Sequence, residues 1–296
     1  MVGPTAVGKS ALALDLAQRL GAEVVNADSM ALYRGMAIGT ARTPADQRRG
    51  IAHHQFEVLG VHQEASVAAY QRHARADIEA VWARGRTALL VGGSGLYARA
   101  VTDQIDFPPT DPAVRAKWER LGRELGGPHL RAELAALDPA AAQNILPGNI
   151  RRLARALEAI ELTGRPFAAR LPAYTPWRPL GIVGLELALD QLDQRIAARA
   201  AWMLQAGLVQ EARRLVGQGL LEGRTARRAI GYPEALALLA GELTPAEAEA
   251  RIATATRQLA RRQLRWFRRD PRITWLDAAA PDLLDQALAA FQRAGP

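Results

Sequence analysis

The first ten residues, MVGPTAVGKS, limit what this chain can fold into more than any other stretch. Residues 3 to 10 match the pattern G-x-x-x-x-G-K-[ST] at every fixed position, and this pattern places a glycine-rich loop between a buried strand and a helix. Such a loop holds phosphate groups with its backbone N–H groups. By itself the motif would mark an ATP site, with the Ser10 hydroxyl as a ligand of Mg²⁺. The residues predicted to bind phosphate are Gly3, Pro4, Thr5, Ala6, Val7, Gly8, Lys9 and Ser10.

The strand that should precede this loop is almost missing from the sequence. Only Met1 and Val2 stand before Gly3, whereas strands usually have about five residues. Either the natural start lies upstream, or the central strand is truncated and the loop is less well anchored. We expect the first.

Apolar runs then alternate with helical patterns. A helix ends at Gly21, a buried strand over 23–27 runs into Asp28 and Ser29, a helix spans Ser66 to about Arg84, and a strand over 87–91 runs into Gly92–Gly95. This alternation predicts a parallel sheet, which binds ligands at the carboxyl ends of its strands. The segments 3–10, 28–29 and 92–95 all fall at such ends and are the candidate site.

From about Asp111 to Arg170 the apolar runs typical of strands are absent, and only helical patterns occur. We therefore expect a P-loop NTPase-like α/β core, residues 1–110 and 171–296, whose parallel sheet is flanked by helices, and a small all-helical insertion domain, residues 111–170. Strands over 180–187 and 272–277, a long helix near 190–217, a helix with a capping box at Thr244 and a terminal helix near 281–293 complete the predicted core.

Charge favours a polyanionic partner. The net charge is +8, and of the 38 basic side chains only Lys9 and Lys117 are lysines. The arginine excess is equally consistent with a compositional bias, but a lysine kept inside the phosphate loop indicates a need for its slim ammonium group. Without cysteine there is no disulfide, and the five histidines lack metal-ligand spacing. Since no apolar run approaches about 18 residues, we expect a cytoplasmic protein that does not enter membranes.

The other parts of a nucleotide hydrolase are missing. TALLVGGSG ends in glycine, so this strand supplies no aspartate for a metal ion, and there is neither an Asn-Lys-x-Asp base reader nor an Asp-x-x-Gly switch. The loop is therefore predicted to hold phosphates without hydrolysing them. Asp28 remains open between two roles, a metal ligand or a general base facing a substrate.

Several segments together resemble the tRNA dimethylallyltransferases, also called tRNA isopentenyltransferases. They are GPTAVGKS, DSMALYRGMAIGTA, LLVGGSGLY, NIRRLARALEAIELTG, AIGYPEA and TRQLARRQLRWFRR, in that order along nearly the whole chain. Two departures are Arg42-Thr43-Pro44, where the family tends to have Lys-Pro, and HHQFEV in place of HHLIDV. Both affect fine substrate contacts rather than the reaction.

The resemblance implies a reaction: transfer of the five-carbon allylic group of dimethylallyl diphosphate to N6 of adenosine 37 beside the tRNA anticodon. It implies that the loop amides, Lys9 and Mg²⁺ on Ser10 stabilise the leaving diphosphate, with Ser94 donating to the bridging oxygen. It gives Asp28 the part of the base that accepts the N6 proton. Asp28 and Ser94 are thus the expected catalytic residues.

The expected macromolecular partner is the tRNA anticodon stem-loop, bound by a monomer. Arg257, Arg261, Arg265 and Arg268 recur at helical spacing beside Trp266 and Phe267, and a solvated face or salt bridges are the alternative reading of each arginine. Three other classes stay open: a small-molecule kinase, an adenylate isopentenyltransferase and a non-enzymatic RNA-binding protein. The tRNA-binding residues implied by motif position are Asp28, Ser29, Met30, Ala31, Ser94, Arg115, Arg151, Arg152, Arg155, Arg228, Arg257, Arg261 and Arg265.

Overall fold

The computed structural model describes residues 1–167 and 171–293. The chain forms two compact units, Met1–Asp103 with Pro176–Pro296, and Gln104–Thr175. Sequence patterns placed these divisions at 110/111 and 170/171, and residue 170 lies outside the described residues.

Both units are built from short elements, which are numbered here in chain order over the described residues. The strands are β1 (Ala22–Asn26), β2 (His53–His54), β3 (Thr87–Val91), β4 (Ile182–Glu186) and β5 (Ile273–Asp277). The helices are α1 (Lys9–Leu20), α2 (Val67–Ala83), α3 (Gly95–Thr102), α4 (Pro112–Glu124), α5 (Gly126–Leu137), α6 (Pro139–Asn144), α7 (Ile150–Thr163), α8 (Leu189–Gln205), α9 (Leu208–Val216), α10 (Tyr232–Leu239), α11 (Pro245–Phe267) and α12 (Leu283–Arg293). Helices α4 to α7 belong to the second unit.

The strands are parallel, as predicted from the alternation of apolar runs and helices. One group has the order β2-β1-β3, and β4 pairs with β5. Val2 lies between the two groups, because its N–H donates to Val183 (2.8 Å) and its carbonyl accepts from Leu185 (2.9 Å), while Gly92 N–H donates to Met1 (3.2 Å). Two residues thus stand where a strand was expected, and backbone hydrogen bonds on both sides anchor the phosphate loop.

Local signals account for the element ends. The Ser66 hydroxyl accepts from Ala69 N–H at the start of α2, and at α11 the Thr244 and Glu247 side chains each bind the other's backbone N–H. Helix α1 ends at Gly21 with φ +59°, a left-handed conformation that favours glycine. All five residues of β1 are buried, as expected for a strand covered on both faces.

Two predictions of secondary structure were incomplete. The long helix near 190–217 is wrong: α8 ends at Gln205, Gly207 has φ +100°, and α9 starts at Leu208. The left-handed conformation of Gly207 ends the helix. The sequence did not reveal this break, because apolar residues recur at helical spacing on both sides of it. The irregular stretch before α2 also contains β2, only two residues long.

In the described part of the second unit the regular elements are all helices, α4 to α7. A separate apolar core joins its helices and includes Leu130, Leu134, Ile145, Leu153 and Leu157. Across the described residues of the whole chain, no helix is both long and apolar enough to cross a membrane.

Candidate active site

The phosphate loop leaves the sheet after Val2 and enters α1. Gly3 has φ +145°, and an added Cβ there would lie 2.7 Å from the Leu185 carbonyl oxygen, so only glycine lets the loop pass over β4. Gly8, with φ +109°, is the residue before α1. The first N–H groups of a helix have no partner within it, so they are available to an anion held by the loop.

Lys9 is folded back over this loop. Its ammonium donates to the carbonyls of Gly3 (3.0 Å) and Pro4 (2.6 Å). Burial lowers the pKa of Lys9 to about 8, while the Asp28 charge raises it and Arg199 lowers it further. An anion bound in the loop would favour the charged form and restore a higher pKa.

Arg199, on α8, is a cation of this site that the sequence motifs did not reveal. Its guanidinium donates to the Thr5 hydroxyl (3.0 Å) and to the Thr40 carbonyl (3.1 Å). Burial lowers the pKa of Arg199, and the charge of Asp28 raises it. Arg199 therefore joins the phosphate loop, at Thr5, to the backbone at Thr40.

The two predicted catalytic residues lie close together at the ends of β1 and β3. Asp28 N–H donates to Asn26 Oδ1 (2.8 Å), and Asp28 Oδ1 accepts from Met30 N–H (2.9 Å). Its second carboxylate oxygen has no hydrogen-bond partner among the described residues. Ser94 Oγ accepts from Ser29 N–H (3.1 Å) and lies 3.2 Å from Ser29 Oγ. Asp28 is thus fixed in orientation while one of its oxygens stays available to a substrate.

The glycines around Ser94 are needed because three neighbours approach closely. A Cβ added at Gly92, Gly93 or Gly95 would overlap another part of the chain. Because the backbone of 92–95 is pressed against these neighbours, the Ser94 hydroxyl has a defined position. The neighbours are Ala27, Gln263 and Trp266, respectively.

Two adjoining cavities share Asp28 and Arg199. The larger, about 280 Å³, is lined by the phosphate loop, by Lys9 and Ser10, by Ala31 and by Arg42. The smaller, about 80 Å³, also touches Thr5 and Thr40, but most of its wall is apolar. The apolar wall includes Met30, Ile196, Met203, Ile230, Ile252 and Leu259. A cationic compartment therefore opens beside an apolar one, with the Asp28 carboxylate at both.

A buried carboxylate fixes one wall of these cavities. Glu211, on α9, is 1% exposed and accepts hydrogen bonds from the N–H groups of Ala37, Ile38 and Gly39, at 2.9 to 3.1 Å. The Tyr232 hydroxyl donates a fourth (2.7 Å). Three successive N–H groups around one anion form a nest, here filled by the chain's own side chain. Sequence reasoning missed Glu211 too.

The arginine stripe on α11 is only partly free. Arg265 and Arg268 are exposed, but Arg268 pairs with Glu186 (3.1 Å). Arg261 makes a two-point ion pair with Asp193 of α8 (2.8 and 2.9 Å). Arg257 donates to the Thr254 hydroxyl on its own helix. Of the stripe, Arg265 is best placed to meet an external anion.

The remaining predicted arginines differ in their burial. In the second unit, Arg115 and Arg155 both donate to the buried carboxylate of Glu158 (2.7 and 2.8 Å). Burial raises the pKa of Glu158, but hydrogen bonds from Thr110 and from both arginines outweigh it and hold the pKa below its ordinary value. Arg151, Arg152 and Arg228 are exposed.

The fold and the site define a mixed α/β protein with a cation-lined cavity at the carboxyl ends of parallel strands. Residues 31–270 match the family model described as IPP transferase. A tRNA dimethylallyltransferase of Nocardia farcinica is 56% identical over 290 residues, covering 98% of this chain and 93% of the relative. One of Salinispora arenicola is 55% identical, covering 99% and 86%. The chain therefore belongs to the IPP transferase family.

Solved structures agree with this assignment. The tRNA isopentenylpyrophosphate transferase of Bacillus halodurans superposes with a TM-score of 0.70 at 36% identity, covering 99% of this chain and 96% of that one. A eukaryotic dimethylallyltransferase described as acting on tRNA gives 0.78 at 26% identity, covering 99% and 76%. The chain is thus an enzyme of the prenyltransferase class.

Proposed function

We propose that this chain transfers the dimethylallyl group of dimethylallyl diphosphate to N6 of adenosine 37 in tRNA, giving N6-isopentenyladenosine and diphosphate. The relatives named tRNA dimethylallyltransferase support the class of reaction. The observation that carries the proposal is the pair of adjoining cavities, one cationic and one apolar, with Asp28 at both. A prenyl diphosphate has the same division between its two ends.

The cationic cavity suits the diphosphate. Its candidate ligands are the amides of residues 3–10, the Lys9 ammonium and the Arg199 guanidinium, with Arg42 on the same wall. At an allylic carbon the C–O bond breaks as negative charge collects on the leaving oxygen. Fixed positive groups at that oxygen lower the barrier because they bind the transition state more strongly than the substrate.

The apolar cavity suits the five-carbon group. The aliphatic side chains that form most of its wall offer no partner to a phosphate, and the polar residues Thr5, Asp28, Thr40, Arg199 and Thr256 also line it. Because Thr5, Asp28 and Arg199 line both cavities, the allylic carbon would lie where the two meet. The Asp28 carboxylate is then close to the bond that forms.

The residues of the cationic cavity also fit Mg²⁺. Mg²⁺ prefers oxygen ligands and is usually held by one or two protein oxygens together with substrate phosphates. The Ser10 hydroxyl and the Asp28 carboxylate line this cavity, whereas no cluster of three or more His, Asp or Glu side chains among the described residues could hold a metal alone. We therefore propose Ser10 as the residue that would hold Mg²⁺ in this cavity; the ion would supply positive charge to the diphosphate.

Proton transfer is proposed for the unpartnered oxygen of Asp28. The N6 amine attacks the allylic carbon, the N–C bond forms as the C–O bond breaks, and the N6 proton passes to the carboxylate. The hydrogen bond from Met30 N–H holds the other oxygen, so the free one keeps its direction. Ser94, fixed through Ser29, is proposed to donate to the leaving oxygen.

The proposed acceptor is adenosine 37 of the anticodon stem-loop. The enzyme must take this base out of its stack, and contacts to the RNA backbone elsewhere must offset a cost of a few kcal/mol. The net charge of +8 and the exposed Arg151, Arg152, Arg228 and Arg265 supply candidate backbone contacts. In this proposal the α/β unit is a P-loop core and the helical unit is an insertion domain that helps to hold the RNA.

A direct assay tests the proposal. The protein is incubated with radiolabelled dimethylallyl diphosphate, Mg²⁺ and an anticodon stem-loop carrying adenosine 37, beside a stem-loop with guanosine there, and beside AMP and ATP as acceptors. We expect label only in the adenosine 37 RNA. Label in AMP or ATP would instead indicate an adenylate isopentenyltransferase, and phosphate transfer from ATP with no use of the prenyl donor would indicate a kinase.

A further inference from the structure

One carboxamide connects the two loops of the candidate site. Gln263 lies on α11, and its Oε1 accepts from Thr5 N–H in the phosphate loop (2.8 Å). Its Nε2 donates to the carbonyl of Gly93, beside Ser94 (2.9 Å). The side chain is 9% exposed. Both ends of this amide are therefore used, and both are used on backbone groups rather than on side chains.

The position of Gln263 in its helix is unusual for a polar residue. It lies on the buried face of α11, with Ala260, Leu264 and Phe267. Placing a carboxamide among apolar side chains is costly unless its hydrogen bonds are made. Here they are made to two loops that are 258 and 170 residues away in sequence, so the amide holds distant segments together.

No direct hydrogen bond joins residues 3–8 to residues 93–95 within the described part of the chain. Gln263 packs directly against Gly93, because a Cβ on Gly93 would lie 2.5 Å from its Nε2. Thr5 is held twice, through its N–H by Gln263 and through its hydroxyl by Arg199. Gln263 therefore adds a side-chain bridge between the phosphate loop and Gly93 to the backbone hydrogen bond from Gly92 N–H to Met1.

We infer that Gln263 is a positioning residue of the transfer reaction: it fixes the phosphate loop relative to Ser94 and Asp28, so that the leaving oxygen lies at Ser94 while the attacking N6 amine meets Asp28. This inference rests on the proposed function. It concerns the alignment of the reacting atoms, because Gln263 is buried, lines neither of the two cavities and hydrogen-bonds the backbone of both loops. Displacing a reacting group by about 1 Å can cost on the order of 100-fold in rate.

The first test replaces the amide with a side chain of similar length that makes no hydrogen bonds. For Gln263→Met we expect kcat to fall about 10- to 100-fold and the Kd of inorganic pyrophosphate to rise about tenfold, while the Kd of the anticodon stem-loop changes less than about twofold. The matched control is Gln286→Met: Gln286 lies on α12, its carboxamide donates to Asp282 just before that helix, and it lines neither of the two cavities. The control should leave all three values unchanged.

The second test uses a pH signature that a purely structural role would not give. In Gln263→Glu, a protonated carboxyl can accept from Thr5 and donate to Gly93, as the amide does, whereas the carboxylate cannot donate. Since burial raises the pKa of a carboxyl, kcat of this variant should fall as pH rises from about 6 to 8. The kcat of the unchanged protein should not fall over that range.

The results are decisive in either direction. Gln263→Met with kcat within about twofold of the unchanged protein overturns the inference, as does a Gln263→Glu variant with the normal pH profile. If Gln263→Met does not fold, the pH profile of Gln263→Glu decides. If the unchanged protein transfers no prenyl group, the proposed function fails. Separately, equal pyrophosphate Kd values in the unchanged protein and in Gln263→Met would overturn the link between Gln263 and the phosphate loop.

Discussion

The pKa of Lys9 gives a quantitative prediction about donor binding. An ordinary lysine has a pKa of 10.5, and burial lowers that of Lys9 to about 8. If only the charged form binds a diphosphate, the apparent Kd equals the intrinsic Kd divided by the protonated fraction. That fraction falls from about nine tenths at pH 7 to about one tenth at pH 9, so the Kd should rise about tenfold. Dimethylallyl diphosphate itself does not titrate there, because phosphate monoesters lose their last proton near pH 6.

Isothermal titration calorimetry of dimethylallyl diphosphate at fixed Mg²⁺, without tRNA, measures this dependence. Lys9→Met should bind more weakly at pH 7 and show no change to pH 9. A pH-dependent loss of folded protein does not account for the expected rise in Kd. A pKa below its unfolded value means that the unfolded chain binds more protons between about pH 8 and 10.5, so the contribution of Lys9 to stability rises with pH in that window while binding falls. A constant Kd in the unchanged protein, or an equal slope in Lys9→Met, would refute the reasoning.

Three further predictions concern other parts of the molecule. Asp28→Asn keeps the acceptor for Met30 N–H but removes the base, so kcat should fall about 10²- to 10⁴-fold with an unchanged stem-loop Kd; equal losses in both would contradict the assignment. Glu158→Ala leaves Arg115 and Arg155 without their shared buried partner and should lower the free energy of unfolding in urea by about 3 kcal/mol. Thr244→Ala removes the helix cap of α11 and should cost about 1 kcal/mol in the same assay, with Thr244→Ser restoring it.

Sequence patterns predicted core strands most closely where the residues suit few structures other than a buried strand. TALLV is β3 residue for residue, and EVVNA overlaps all but the first residue of β1, because short apolar runs that end in turn residues suit buried parallel strands. The predicted capping box at Thr244 was also confirmed, because it depends only on Thr244 and Glu247, which are three residues apart. The break at Gly207 was missed because a single glycine within a helical pattern does not by itself end a helix.

The site was less predictable: Arg199 and Glu211 lie outside every quoted segment, and Gln263 lies within TRQLARRQLRWFRR but that segment gives no sign of its partners. Arg199 and Gln263 stand in helices whose patterns are otherwise amphipathic. The only signal was a polar side chain on an apolar face: Arg199 is next to Ala200 on the face formed by Leu192 and Ile196. Such a residue must find buried partners, but the sequence does not say which segments supply them. Only the fold brings Thr5 to both side chains.

The nest around Glu211 has a consequence for the energetics of donor binding. The phosphate loop and the nest at 37–39 both direct backbone N–H groups at an anion, but the anion of the nest belongs to the chain and is in place as soon as the protein folds. The wall that carries Thr40 is therefore preorganised before any substrate arrives. An incoming diphosphate does not have to spend binding free energy on ordering that wall, so more of its free energy remains for affinity and for the transition state.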